Sequence, residues 1–296
     1  MTATPSSSSV TVWLTGARLR TLPLAFGPVL LGSASAWTAG SSDPLRASLA
    51  LLVAVSLQIG VNYANDYSDG IRGTDDYRVG PPRLTGSGLV RPGLVKRAAF
   101  LFFAVAVAAG GALILLAGAW WLIVVGALAV WAAWSYTGGT RPYGYRGLGE
   151  LVVFIFFGPV ATAGTAYVQA GFVPWESLVT GSAMGFFAAA VLMINNLRDI
   201  EPDEQAGKHT LSVQIGAKAS KAVITLFLGF PYLLLLVPVG NYPSSPLVLF
   251  TSVLVVVVGF LVWTATRPAR LIRALQITSA ASLLFAASLS AVMVLG

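Results

Sequence analysis

The sequence predicts an all-α membrane protein, with nine transmembrane helices in one bundle and its N-terminus on the cytoplasmic side. Three observations carry that prediction. The chain of 296 residues is 56% hydrophobic and only 10% charged, whereas a soluble domain carries about 25% charged residues. Its apolar residues form nine stretches near the length that crosses a bilayer, about 20 residues. When those nine are threaded through a membrane, every lysine and arginine except Arg46 collects on one face. Basic residues accumulate on the cytoplasmic side, and a wrong span count would scramble the split. The net charge of +7 fits either nucleic acid or an anionic membrane surface. In a chain this apolar the partner is the lipid bilayer, and neither nucleic acid nor an obligate protein partner is expected. The absence of cysteine excludes disulfides and thiolate metal sites.

The elements follow in order. Residues 1–12, opening "MTATPSSSSV", are polar and are expected to form a disordered tail, leaving 13–296 as a single transmembrane domain. Trp13 and Leu14 with Arg18 and Arg20 read as an amphipathic lead-in lying on the membrane surface. The first span, 22–39, has the flank of a signal peptide but exceeds an h-region of about 7–15 residues. The second is expected at 47–66. The third and fourth, 97–117 and 119–136, divide one charge-free run, with "AGAWW" marking the turn. The fifth and sixth are expected at 150–170 and 177–197. The seventh and eighth, 219–239 and 246–265, divide a second run that "PVGNYPSSP" breaks with its prolines and glycine. The ninth is expected at 274–295.

The acidic residues obey a different logic. Eight of the eleven lie in two segments, Asp66, Asp69, Asp75 and Asp76, then Asp199, Glu201, Asp203 and Glu204. Both segments fall on the cytoplasmic face, after the second and sixth spans. Continued as a helix, the second span places Gln58, Asn62, Asn65, Asp66 and Asp69 along one stripe. In "NNLRDIEPD", Asn195, Asp199 and Asp203 repeat every four residues, and Pro202 is expected to end the helix just before Asp203. The two segments share a plan, an amide inside the membrane boundary and carboxylates one and two turns further out. Polar groups inside spans are costly and usually functional.

Hard divalent cations want oxygen ligands, and Mg²⁺ is typically held by one or two carboxylates together with substrate phosphates. Asp66, Asp69, Asp199 and Asp203 supply four negative charges, which two Mg²⁺ ions cancel. The neighbouring Arg72, Arg78, Arg83, Arg198 and Lys208 then leave a positive excess suited to a diphosphate. Asn62, Asn65 and Asn195, with Arg72 and Arg198, are expected to surround the metal ligands. The substrate class this points to is a phosphorylated amphiphile, its head at the metal and its tail in lipid.

At these residues the sequence is similar to the UbiA superfamily of intramembrane aromatic prenyltransferases. Four stretches carry the resemblance: "RLRTLPLAFGPVLLG" at 18–32, "NYANDYSDGIRGTDDYRVGPPRLTGSGLV" at 62–90, "YRGLGE" at 145–150 and "NNLRDIEPDEQAGKHTLSVQIG" at 195–216. They resemble most the branch that prenylates 1,4-dihydroxy-2-naphthoate for menaquinone. The resemblance implies a nine-helix bundle in the cell membrane, its active-site loops cytoplasmic. It also implies a Mg²⁺-dependent transfer from polyprenyl diphosphate to the naphthoate, with loss of carbon dioxide. In that scheme two Mg²⁺ ions on Asp66, Asp69, Asp199 and Asp203 grip the diphosphate, and Lys208 with nearby arginines stabilises its departure. Arg83 or Arg141 pairs with the acceptor carboxylate. One departure stands out: where the superfamily writes a third aspartate, this chain has Gly73, with Asp75 and Asp76 just beyond.

Tyr136 and Tyr145, flanking "TGGTRP" with Tyr143, are placed to stack on an aromatic acceptor or a carbocation, although interfacial tyrosines are routine. His209, the one histidine, reads as an ordinary loop residue, and Glu150 as a charge complementing a helix N-terminus. The nearest alternative is the same chemistry on 4-hydroxybenzoate or homogentisate. A transporter fits less well, because alternating access favours sites near the midplane and these acids cluster at one face.

Overall fold

The computed structural model describes residues 9–75, 80–237 and 242–296, and among them every regular element is helical. The helices are α1 (Ser9–Ala17), α2 (Pro23–Thr38), α3 (Pro44–Ile71), α4 (Pro92–Ala117) and α5 (Leu122–Ser135). Next come α6 (Gly149–Ile155) and α7 (Ala161–Ala170), joined through a π-helical turn at Phe156–Val160. They are followed by α8 (Trp175–Arg198), α9 (Ile200–Gln205), α10 (Leu211–Leu234), α11 (Ser252–Trp263) and α12 (Pro268–Leu295). All nine apolar stretches of the sequence coincide with helix. Among the described residues seven helical segments are long and apolar enough to cross a membrane. The other two, α2 at 16 residues and α5 at 14, are shorter. The chain is therefore a multi-pass, all-α membrane protein. Because α1 begins at Ser9, the last residues of the expected tail are helical; residues 1–8 lie outside the described residues.

Local chemistry sets the ends. Proline opens α2, α3, α4 and α12, where its missing N–H costs no helical bond. Asp43 caps α3 by accepting from the Arg46 N–H at 3.0 Å. The Arg46 guanidinium donates to the carbonyls of Val168 and Leu116, each at 2.8 Å. The single basic residue on its face thus ties the ends of α7 and α4 to the start of α3. Gly118, at φ 66°, ends α4 at the turn that "AGAWW" marks.

Helix α8 is the centre of the bundle. Of its membrane window 72% is buried, against 44% or less for the six others, and it packs against α2, α6, α10 and α12. Phe187, Met193 and Ile194 from α8 meet Leu31, Ile224, Phe285 and Leu289 in the main core. Small residues let backbones approach closely in a membrane, and α8 uses Gly181 and Gly185 this way. A Cβ added at Gly158 would lie 2.6 Å from the Gly181 carbonyl and 2.7 Å from the Gly185 Cα. Leu101, Leu115, Val256 and Phe260 remain exposed on the rim, as lipid-facing residues must.

Helix α8 does not run on to Pro202. It ends at Arg198, and α9 begins anew at Ile200 with Pro202 in its first turn. There the proline is accommodated, because first-turn N–H groups have no helical acceptor. Asp203 is therefore inside α9, its N–H donating to the Asp199 carbonyl at 2.8 Å, not beyond a helix end as the sequence suggests.

Candidate active site

Two helix ends build the site, and both end in the same way. At the C-terminus of α3, Gly73 takes φ 73°; its N–H donates to the Gly70 carbonyl at 3.4 Å, and the Thr74 N–H to the Asp69 carbonyl at 3.1 Å. At the C-terminus of α9, Gly207 takes φ 69°; its N–H donates to the Glu204 carbonyl at 3.0 Å, and the Lys208 N–H to the Asp203 carbonyl at 2.7 Å. Each is a Schellman cap, with glycine where a left-handed φ is required. Asp69 and Asp203 hold equivalent positions in the two caps, one residue type at the same step of two helix ends.

The caps meet. Lys208 Nζ lies 3.8 Å from Asp69 Oδ2 and 3.5 Å from Asp203 Oδ1, and all three residues are buried. Burial alone pulls the lysine pKa down, but the two carboxylates outweigh it and hold the ammonium above the ordinary lysine range. Burial pushes the Asp203 carboxyl up to about 6, with Asp199 and Asp69 adding to the rise and Lys208 opposing it. Tyr145 ties the cluster together. Its hydroxyl donates to Asp69 Oδ1 at 2.9 Å and lies 3.1 Å from Thr74 Oγ1, while Lys208 and Arg72 lie 5.4 and 5.5 Å from its ring centroid. Burial and the nearby Asp69 charge raise the Tyr145 pKa, so it stays a donor. Asp199 is held by Arg198, whose Nε donates to Oδ1 at 2.7 Å. The same guanidinium donates to Asn195 Oδ1 at 2.9 Å.

Asp69, Asp199 and Asp203 line one small cavity with Thr74, Asp75, Pro202 and Lys208. Among the described residues no three carboxylates yet converge at metal-ligand distance, and the Lys208 ammonium holds the place between Asp69 and Asp203. The donor set nevertheless fits a hard divalent cation. It is all oxygen, a cation already bridges it, and Asp203 Oδ2 is buried without a hydrogen-bond partner.

Several residues expected at the site do other work. Asp66 does not line the cavity; its two oxygens accept the Leu84 and Thr85 N–H groups at 2.9 and 2.8 Å. Asn62 donates to the Ala17 carbonyl at 2.9 Å, and Gln58 to Thr21 Oγ1 at 2.9 Å, so that part of the stripe pins the chain between α1 and α2. Asn65 accepts from Thr137 Oγ1 at 2.8 Å. Arg72 donates to the carbonyls of Thr137 and Gly139, which orders the "TGGTRP" loop instead of facing the cavity. Tyr136 packs on Tyr143 at 5.6 Å between centroids. Arg141 is exposed. Arg83 is buried, 3.7 Å from Asp75, and lines a separate cleft of about 290 Å³ with Arg18, Arg20, Asp66 and Pro82. Arg18 itself is the one non-glycine residue at positive φ, 53°. Glu150, read from sequence as a helix-end charge, is buried and accepts from Asn196 Nδ2 at 2.8 Å. Asp76 and Arg78 lie outside the described residues.

The UbiA prenyltransferase family model matches residues 25–289. The chain is 50% identical over 209 residues to the 1,4-dihydroxy-2-naphthoate octaprenyltransferase of Mycobacterium tuberculosis, covering 71% of each chain. It is 42% identical over 215 residues to the Escherichia coli enzyme of the same name, covering 71% of this chain and 70% of that one. Among solved structures, the apo UbiA homolog of Aeropyrum pernix K1 superimposes with a TM-score of 0.71 at 17% identity, covering 90% of this chain and 96% of that one. A UbiA homolog of Archaeoglobus fulgidus bound to GPP and Mg²⁺ superimposes with a TM-score of 0.60 at 16% identity, covering 95% and 100%.

Proposed function

The chain belongs to the UbiA prenyltransferase family, and from that premise we propose that it prenylates 1,4-dihydroxy-2-naphthoate. The polyprenyl group comes from polyprenyl diphosphate. Diphosphate and the ring carboxylate, as carbon dioxide, are lost, giving demethylmenaquinol in menaquinone biosynthesis. The observation that carries the reading is the meeting of two acidic helix ends, far apart in sequence, on one buried lysine.

Asp69, Asp199 and Asp203 hold Mg²⁺, two ions by the charge count, with Arg198 orienting Asp199 and Tyr145 orienting Asp69. Bound divalent cations supply neutralisation of the diphosphate and so ease its departure. Lys208 is the ammonium within reach of both acidic segments, and it counters charge building on the leaving group. Burial of this cluster keeps water from the allylic centre. The acceptor carboxylate pairs with Arg83, because that guanidinium is buried in a cleft with two further arginines whereas Arg141 is exposed. The domain spans 13–296 with nine transmembrane helices, α2 and α5 included. Its N-terminus and both acidic segments face the cytoplasm, and the host is the cell membrane. The seventeen-to-one distribution of basic residues supports that orientation.

The test supplies purified protein in detergent or lipid with a polyprenyl diphosphate and either 1,4-dihydroxy-2-naphthoate or 4-hydroxybenzoate, with and without Mg²⁺. Product is followed by mass. A Mg²⁺-dependent product from the naphthoate, lost in Asp69→Asn and Asp199→Asn, is expected. Product from the benzoate alone would keep the cation site and overturn the acceptor.

A further inference from the structure

We propose that Asp75, not Asp66, supplies the fourth carboxylate of the metal site, delivered there by the chain reversal at Gly73. The inference rests on the cation–diphosphate reading of the cavity and names one more of its ligands.

Asp66 is committed elsewhere. Both its oxygens hold backbone N–H groups in a residue only 1% exposed. Recruiting it to a cation would strand two buried donors, at about 1–3 kcal/mol each. Asp75, by contrast, lines the cavity with Asp69, Asp199, Asp203 and Lys208, and its side chain is 3% exposed. The route it takes explains the missing aspartate at position 73. One further helical turn would put residue 73 above Asp69. Instead α3 ends in a Schellman cap whose left-handed residue is Gly73. The cap folds the chain back, so that a carboxylate two residues later turns into the same cavity. The buried, unpartnered Asp203 Oδ2 in that cavity is an independent sign that the wall is built to receive a ligand.

Asp66 then becomes a positioning residue. The two N–H groups it holds belong to Leu84 and Thr85, whose chain neighbours flank Asp75. Arg83 Nε lies 3.7 Å from Asp75 Oδ1, and a Cβ on Gly86 would lie 2.6 Å from the Asp75 Cβ. Glycine at 86 is what lets the loop close against the back of Asp75.

The test uses the full chain in detergent and titrates Mn²⁺ in the presence of inorganic pyrophosphate, reading bound Mn²⁺ by electron paramagnetic resonance and folding by thermal melting. Asp69→Asn serves as the reference loss. Asp75→Asn is expected to weaken Mn²⁺ binding at least tenfold, whereas Asp66→Asn lowers the melting temperature and moves the affinity less than threefold. If Asp75→Asn does not fold, Asp75→Glu decides: it keeps a partner for Arg83 and, by displacing the carboxylate, should still shift the affinity at least threefold. Wild-type affinity in a folded Asp75 variant, with Asp69→Asn impaired, would overturn this inference alone. Binding indifferent to Asp69 as well would overturn the cation site with it.

Discussion

Lys208 is the residue on which the site turns. Its ammonium lies between Asp69 and Asp203, so it competes for the carboxylates that a divalent cation needs while serving as the charge a diphosphate needs. Replacing it should therefore move two quantities in opposite directions. For Lys208→Met the account predicts tighter Mg²⁺ binding without diphosphate and at least a tenfold fall in kcat/KM, a loss of about 1.4 kcal/mol in transition-state stabilisation. Calorimetric titration and steady-state kinetics on one preparation check both. Unchanged values in each would remove Lys208 from the mechanism. At this scale the sequence was informative but overinclusive. Asp69, Asp199, Asp203, Lys208 and Tyr145 are brought together as the acid and base pattern suggests. Gln58, Asn62 and Asp66 lie on the same stripe, yet their partners are Thr21, Ala17, Leu84 and Thr85. Periodicity tells which residues share a helix face, not which neighbour that face meets. The Glu150–Asn196 pair was missed for the same reason, since nothing local links the start of α6 to the end of α8.

At the scale of elements, the repeated cap is the device that makes two unrelated helices present equivalent aspartates. Its signal is present in the sequence as an aspartate followed four residues later by glycine, once in "DGIRG" and once in "DEQAG". Reading those glycines as caps would have placed Asp75 and Lys208 correctly. Pro202 misled for a physical reason, because proline ends one helix and begins another equally well, and only the break at Asp199 decides between them. Gly207→Ala forces a Cβ into left-handed backbone at a cost of about 1–2 kcal/mol, and it moves Lys208 with the turn. The expected result is a lower melting temperature together with a loss of activity. Gly207→Asn, which tolerates that conformation better, should recover part of both.

For the whole molecule, the nine helical stretches were legible because lipid punishes every uncovered backbone polar group, so apolar length translates directly into helix. Their packing order was not legible. Helix α8 looks no more apolar than its neighbours, and its central place follows from Gly181 and Gly185 meeting Gly158. Orientation is testable with unusual cleanness, because the chain has no cysteine and each one introduced is a unique reporter. Lys218→Cys should resist a membrane-impermeant maleimide in intact cells, and Ser42→Cys should react. The reverse pattern would invert the topology.

The measurement that tests the central claim most directly is a structure of the chain with Mg²⁺ and a non-reactive prenyl thiodiphosphate. The account predicts Asp69, Asp199 and Asp203 drawn together on cations that bridge the diphosphate, with Lys208 moved from the carboxylates onto phosphate oxygens. A diphosphate seated among Arg18, Arg20 and Arg83, with Lys208 still between Asp69 and Asp203, would contradict it.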